Sequence, residues 1–295
     1  MKEKIINPVP LGYLKKELSE IVPIGKTNLQ KNLIYITDYH KSPNIMKEIG
    51  RLREISFRKY GGGSGKSLDV DVYDTMDNPF KQMFIWDPEN EEITGGYRYI
   101  FMDSLKGESP TSHLFRFESD FTNTIKPYAI ELGRSFVNED AKKARYALDN
   151  LWDGLAYFLY KHKEIKYFFG KITLYPWKLD GKLNLLLEFL EVEFPSDGSV
   201  RPKSPIELST IKSLFTTRDY KANKQKLRDK LKGGKQKVHI PPLMNAYMEL
   251  SKTMKYLGAT INARFSKVVE GAILITIADI NGKKKERHML PFLKN

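Results

Sequence analysis

The chain has 295 residues, with 49 Lys or Arg against 36 Asp or Glu, a net charge of +13 and a pI near 9.5. Hydrophobic residues make up 41% and charged residues 29%, an ordinary globular balance. Cysteine is absent, which excludes disulfides, thiolate metal sites and a cysteine nucleophile.

No apolar run is long enough to span a bilayer. The opening MKEKIINPVPLGY is charged and has prolines where a signal peptide needs an apolar core. A cytoplasmic protein is expected. The histidines His40, His113, His162, His239 and His288 are scattered, with no H-x-x-x-H pair, so no metal site is expected.

Pro8, Pro10, Pro23 and Pro43 punctuate residues 1–45, which read as an irregular arm. Lys47–Tyr60 reads as a helix burying Ile49, Leu52, Ile55 and Phe57, with Arg51, Arg53 and Arg58 around that side. The following GGGSGKS invites a phosphate-loop reading, but that pattern needs glycine where Tyr60 stands, and a basic helix rather than a buried strand precedes it. A flexible glycine loop is the better reading. Ser64 is no nucleophile elbow either, because Lys66 occupies the second glycine place. Asp69, Asp71, Asp74 and Asp77 form a carboxylate cluster without EF-hand spacing. They suit a cationic group or simple solvation.

KQMFIWD and EITGGYRYIF, joined by DPENEE, read as a β-hairpin. Arg98 lies inside its second strand, where a charge wants a partner or a ligand. Met102 to Lys126 is irregular. The strand Ile130–Val137 carries Glu131 and Arg134. Three apart, they point to opposite faces of a regular strand. Gly133 between them signals a bulge, which resets the alternation and lets them share a face. Two solvent-facing charges on a plain strand are the competing reading.

A helix over Leu148–Leu159 follows, its apolar face formed by Leu148, Leu151, Trp152, Leu155, Phe158 and Leu159, with Asp149, Asn150 and Asp153 off that face. With the strand Tyr167–Tyr175 it completes a strand–helix–strand crossover unit. Lys182–Phe194 is a further helix. Residues 196–238 read as an insertion with a short amphipathic helix marked by Tyr220, Leu227 and Leu231. Between Arg218 and Lys237 nine Lys or Arg face only Asp219 and Asp229, a patch suited to an anionic membrane surface, nucleic acid or an acidic protein. A helix from Pro241-Pro242 to Gly258, strands over 259–266 and 271–280, and a basic surface tail over 281–295 close the chain.

This order of elements resembles the GNAT acyltransferase fold, and more narrowly its hemolysin-like branch. That branch contains the ornithine and glycine aminolipid N-acyltransferases and is related to acyl-homoserine-lactone synthases. The residues that carry the resemblance are Arg53 and Phe57 (R-x-x-x-F), Asp71 and Asp74 (D-x-x-D), Tyr97-Arg98, and Glu131 to Val137 (ELGRSFV). The runs ALDNLWDGL, KYFFGKITLYP and PPLMNAYMELSKTM are similar to the same branch. The resemblance implies an α/β fold with a mixed central sheet, a splayed strand and flanking helices, as a single domain over 46–280. It implies transfer of a long-chain, 3-hydroxy acyl group to the α-amine of a small amino acid, the first step of aminolipid synthesis. An acyl chain then threads the gap where two strands splay.

On that resemblance Glu131 and Arg134 are the catalytic candidates. Glu131 serves as base toward the amine, and backbone N–H groups beside the bulge serve the oxyanion. Arg53, Phe57, Asp71, Asp74 and Arg98 are the substrate-binding candidates, and Val137, Asn150 and Gly154 the acyl-donor-binding ones. A Glu131–Arg134–Arg98–Asp74 ion-pair network that only stiffens the sheet is the competing reading. No tightly bound cofactor is implied; acyl-ACP, or acyl-CoA, is the co-substrate. DNLWDGL stands where many GNAT proteins hold the pyrophosphate of coenzyme A. Asp149 and Asp153 there are expected to compete with a phosphate for the helix amides, which favours acyl carrier protein as partner. The other expected partners are the amino-acid substrate and an anionic membrane surface. Neither nucleic acid nor a stable oligomer is expected, and the position is cytoplasmic, extending to a peripheral one on the inner membrane face. A non-catalytic basic membrane- or nucleic-acid-binding protein and a lactone synthase are the alternatives.

Overall fold

The computed structural model describes residues 2–207, 214–233 and 237–293. In chain order the elements are α1 (Leu11–Ser19), β1 (Gly25–Lys26), β2 (Leu33–Thr37), α2 (Pro43–Lys59), the one-turn α3 (Val72–Thr75), β3 (Lys81–Asp87), β4 (Glu92–Phe101), β5 (Phe115–Phe117), β6 (Ala129–Val137) and α4 (Ala147–Lys161). Then come β7 (Tyr167–Leu174), α5 (Leu183–Glu193), β8 (Val200–Pro202), α6 (Tyr220–Lys232), α7 (Pro242–Leu250), β9 (Lys255–Asn262), β10 (Val268–Thr276) and α8 (Gly282–Leu293). The architecture is mixed α/β. The chain divides into two compact units: one runs up to Gly107 and adds Tyr128–Lys166 and the stretch from Gly282, and the other holds Glu108–Pro127 and Tyr167–Asn281.

In the first unit β1, β2, β3, β4 and β6 lie side by side, every pair antiparallel. Helices cover both faces. Arg53 of α2 reaches Gln82, while Gly154 of α4 seats on Met83, where an added Cβ would lie 2.2 Å from Sδ. Adjacent residues of a strand point to opposite sides, so α2 and α4 sandwich the sheet. The α2 side is sealed by Tyr35, Ile45, Met46, Ile49, Leu52, Phe84, Trp86 and Phe136. On the α4 side Tyr99 meets Phe158 edge-on at 4.5 Å between ring centroids.

Residues 1–45 are not an irregular arm: they supply α1, β1 and β2. The prolines mark ends rather than break elements, with Pro10 as the N-cap of α1 and Pro43 in the first turn of α2. Glu17 of α1 then accepts hydrogen bonds from the Asn44 and Ile45 N–H groups at 2.9 and 2.8 Å, capping α2 from a neighbouring helix. The tail is corrected too. Residues Gly282–Leu293 form α8, whose His288 and Phe292 are buried.

In the second unit β7, β10 and β9 are antiparallel in that order, and β5 pairs with β8. The expected helix from Pro241 to Gly258 stops at Leu250; Lys255 onward is β9, and Gly258 adopts φ +93° within that strand. Periodicity could not separate the two because only residues 251–254, with no Gly or Pro among them, lie between the helix and the strand. The amphipathic helix expected within 196–238 is α6, with Leu227 and Leu231 fully buried. The rest of that expected insertion lies partly outside the described residues.

Candidate active site

The site grows from the pairing of β4 with β6. Arg98 lies opposite Gly133 and Ile100 opposite Glu131, whereas Gly96 lies opposite Phe136. Between those pairs β4 advances two residues and β6 three, so β6 holds one extra residue. The bulge expected at Gly133 is present, but the residue in the left-handed region is Arg134, at φ +52°. A non-glycine residue there is uncommon. The extra residue turns the Arg134 side chain toward Asp69 and Asp71. Directly opposed strand residues share a face, and so do residues two apart. Glu131, buried to 2% exposure, therefore shares the face of Arg98 and Gln82.

Across that face runs a network of charges. Arg98 grips Asp71 with two bonds, Nη1 to Oδ1 at 2.6 Å and Nη2 to Oδ2 at 2.9 Å, and reaches Asp74 Oδ2 at 3.1 Å. Arg53, fully buried on α2, lies 3.3 Å from Asp74 and donates to Gln82. Arg134 Nε lies 3.0 Å from Asp69 and Nη2 3.4 Å from Asp71. The Arg98 guanidinium lies 5.6 and 5.2 Å from the rings of Tyr73 and Phe80, which meet edge-on beside it, and Phe57 lies 5.9 Å from that of Arg134.

The D-x-x-D motif has a local cause. Asp71 caps α3 by accepting from Tyr73 N–H, and Asp74 accepts from the Asp71 N–H at 3.1 Å. This is a reciprocal capping box built from two aspartates. It ties both carboxylates to the backbone of the same turn.

Burial pushes the Asp71 and Asp74 carboxyls up, but the guanidiniums, Arg98 foremost, outweigh it and hold both below the usual range. Asp69 goes the other way: burial outweighs Arg134, Arg53 and Arg98 and raises its carboxyl. Burial pulls Arg53 down. Burial also opposes the charge on Arg98, yet Asp74 and Asp71 raise it.

The structure thus brings together Arg53, Phe57, Asp71, Asp74, Arg98 and Arg134, with Glu131 on the same sheet face. Sequence reasoning missed Gln82, which donates to Asp74 at 3.0 Å while accepting from Arg53. A glutamine inside an apolar strand one residue from the hairpin's edge was the available signal. Asp69, first read as part of a solvated or cation-binding cluster, is 2% exposed and salt-bridged; Asp77 is exposed. Among the described residues no group of three or more His, Cys, Asp or Glu is placed to hold a metal ion.

The donor-binding candidates separate. Gly95 brings Val137 and Ala147, the first residue of α4, close together: a Cβ there would lie 3.6 Å from Val137 Cα and 3.7 Å from Ala147 Cβ. Asn150 and Asp153, expected off the buried face of α4, are both fully buried. Gly154 packs on the sheet. Asp153 does not face the helix amides. It accepts from Asn28 N at 2.8 Å and meets His288 Nδ1 at 2.7 Å, while Asp149 pairs with Arg287. The expectation that Asp153 competes with a phosphate at the start of α4 is therefore corrected, whereas Asp149 does lie in the first turn. Both carboxylates fasten α4 to its neighbours.

The Gly61–Ser67 loop is also explained. Glu54, buried on α2, accepts from Ser64 N (2.9 Å), Ser64 Oγ (2.8 Å) and Gly65 N (2.8 Å). An internal carboxylate occupies the amides that a phosphate would take, and the loop is tied down rather than flexible.

Comparison with known proteins agrees with this frame. An acetyltransferase (GNAT) domain model matches residues 52–153, the span from α2 to Asp153. A glycine Nα-acyltransferase of Phocaeicola vulgatus is 42% identical over 99% of this chain and 94% of its own length. The chain belongs to the GNAT-fold amino-acid N-acyltransferases. A second glycine Nα-acyltransferase, from Bacteroides thetaiotaomicron, is 41% identical over 99% of this chain and 91% of its own. Among solved structures a CoA-dependent acyl-homoserine lactone synthase, BjaI, overlaps 88% of each chain at 14% identity and a TM-score of 0.38, a loose likeness. Among the described residues of the acyltransferase, no helix is long and apolar enough to cross a membrane.

Proposed function

We propose that this acyltransferase moves a long-chain, 3-hydroxy acyl group from acyl carrier protein to the α-amine of glycine, the first step of aminolipid synthesis. The curated relatives named for glycine support the acceptor. The observation that carries the chemistry is the β4–β6 register, which sets Glu131 on the face of Arg98 with the bulge at Arg134 beside it.

An amino acid arrives as an ammonium, and only its neutral amine is nucleophilic. Glu131 takes the proton, directly or through water. The amine nitrogen attacks the thioester carbon, the carbonyl oxygen takes up the electron pair as an oxyanion, and backbone N–H groups at the bulge donate to it. Collapse re-forms the carbonyl and breaks the C–S bond; the second proton of the attached nitrogen goes to the departing thiolate, and the one held by Glu131 is released to water, leaving amide and thiol. Arg98, fixed by Asp71 and Asp74, and Arg134, fixed by Asp69, hold the acceptor carboxylate and its surroundings. The net charge of +13 suits an acidic carrier. A single-chain amphiphilic product partitions into the inner membrane face at about 0.8 kcal/mol per buried CH₂.

The test offers purified protein the same 3-hydroxyacyl group on acyl carrier protein and on coenzyme A, with individual amino acids. N-acylglycine should form fastest, with the higher kcat/KM from the carrier. Preference for another amine, or for coenzyme A, overturns that part of the reading. A lactone formed only with S-adenosylmethionine overturns it altogether.

A further inference from the structure

The basic segment of the sequence resolves into a helix whose two sides have separate uses. On α6 the inner side is spent within its own unit. Leu227 and Leu231 are fully buried, and Asn223 and Lys224 are nearly so. Lys224 Nζ lies 2.8 Å from Glu249 Oε1 and 2.9 Å from Tyr220 Oη. Both ends are fastened. Asp219 caps the first turn by accepting from Ala222 N at 3.0 Å, and its own N–H donates to Glu193. At the other end Lys182 Nζ donates to the Leu231 carbonyl at 2.9 Å. The helix is a fixed platform and not a loose loop.

The outer side is different. Lys221, Lys226, Arg228, Lys230 and Lys232 are all exposed. Among the ion pairs of the described residues none involves any of them. Helical geometry sets Lys221, Arg228 and Lys232 in one line along roughly 16 Å, with Lys226 and Lys230 on the other edge. The one acid between them, Asp229, accepts from Gln225 at 2.9 Å.

A helix that inserts at a membrane surface needs its apolar face free for lipid. That of α6 is buried, and its outer face carries no large apolar side chain. Cations at fixed helical spacing suit an ordered acidic surface of matching length. Resting on the function proposed above, we propose that the outer face of α6 is the docking surface for the acidic protein that carries the acyl chain, with Lys221, Arg228 and Lys232 as its contacts.

The test uses the full chain and the triple variant Lys221→Glu/Arg228→Glu/Lys232→Glu. Two donors carry the same acyl group, one on acyl carrier protein and one on pantetheine. The variant should raise KM for the carrier-borne donor about tenfold, leave its kcat unchanged, and use acyl-pantetheine as the parent does. The parent's KM for the carrier should climb with salt, and the variant should lose most of that dependence. An unchanged carrier KM overturns the assignment, and so does an equal loss with both donors. Co-sedimentation with phosphatidylglycerol vesicles adds a third arm. If the variant loses vesicle binding while its carrier KM stands, the face meets membrane and the assignment is wrong. Titrating the carrier against the protein without turnover separates the two proposals. Binding lost in the variant upholds the docking face even if no amide forms with glycine, and binding retained in the variant rejects it.

Discussion

Arg98 and Asp71 meet fork to fork, at 2.6 and 2.9 Å, although 27 residues separate them. Each partner is also held by contacts of its own. Asp71 is held by its capping role on α3, and Arg98 by its place in β4 beside the Tyr73 and Phe80 rings. Lysine at 98 keeps the charge but loses the planar two-pronged geometry. Arg98→Lys should lower kcat/KM by about 10- to 100-fold, the size of one or two lost charged hydrogen bonds. Arg98→Met leaves Asp71 and Asp74 only their longer contacts to Arg134 and Arg53 and should cost about 3–5 kcal/mol in urea unfolding.

The same pair fixes an acid limit. Asp71 and Asp74 are held below their usual range in the folded state by Arg98 and its neighbours. A depressed carboxylate stabilises the fold above its unfolded value, about 3.9, and loses that contribution as pH falls toward its folded value. Asp69 is raised by burial, so it acts in the opposite sense and offsets part of the loss. Urea midpoints measured between pH 7 and pH 2 should fall most steeply below about pH 4. Asp71→Asn should flatten that fall.

The Glu54 carboxylate holds the glycine loop from inside. Glu54→Ala leaves the Ser64 and Gly65 amides without their acceptor, at about 1–3 kcal/mol for buried donors. Amide hydrogen exchange at Ser64 and Gly65 should accelerate before the rest of α2 is affected. Unchanged protection at both would show that the loop is held some other way.

Close packing of α4 on the sheet depends on Gly154. A methyl group there would meet Met83 Sδ at 2.2 Å, and that sulfur already takes the Tyr97 hydroxyl at 3.1 Å. Gly154→Ala should cost about 1–3 kcal/mol by overpacking. Adding Met83→Val, which removes the obstructing atoms, should recover part of it in a double-mutant cycle.

Much of this was legible in the sequence where the cause is local. The β3–β4 hairpin, the span of α4 and the bulge near Gly133 follow from alternation, helical spacing and one glycine. The bulge was legible only as a place. That Arg134 takes the left-handed turn and meets Asp69 and Asp71, more than 60 residues away, left no local signal. Charges buried by distant partners left no periodic trace. Helical spacing sets Arg53 only around the apolar side of α2, says nothing of Glu54, and puts Asp153 off the apolar face of α4, yet all three are fully buried. The partner of Asp153, His288, lies 135 residues away. Prolines misled over 1–45 because composition cannot tell an element's end from its interruption.

The central claim is that Glu131 accepts the proton of the attacking amine. Its most direct test is single-turnover transfer from 3-hydroxyacyl carrier protein to glycine, compared between the parent and Glu131→Gln across pH 6 to 9. Losing a general base should slow the chemical step about 10²- to 10⁴-fold, with carrier affinity unchanged and the deficit shrinking as rising pH supplies neutral amine. Equal rates in the two proteins at every pH would contradict the account.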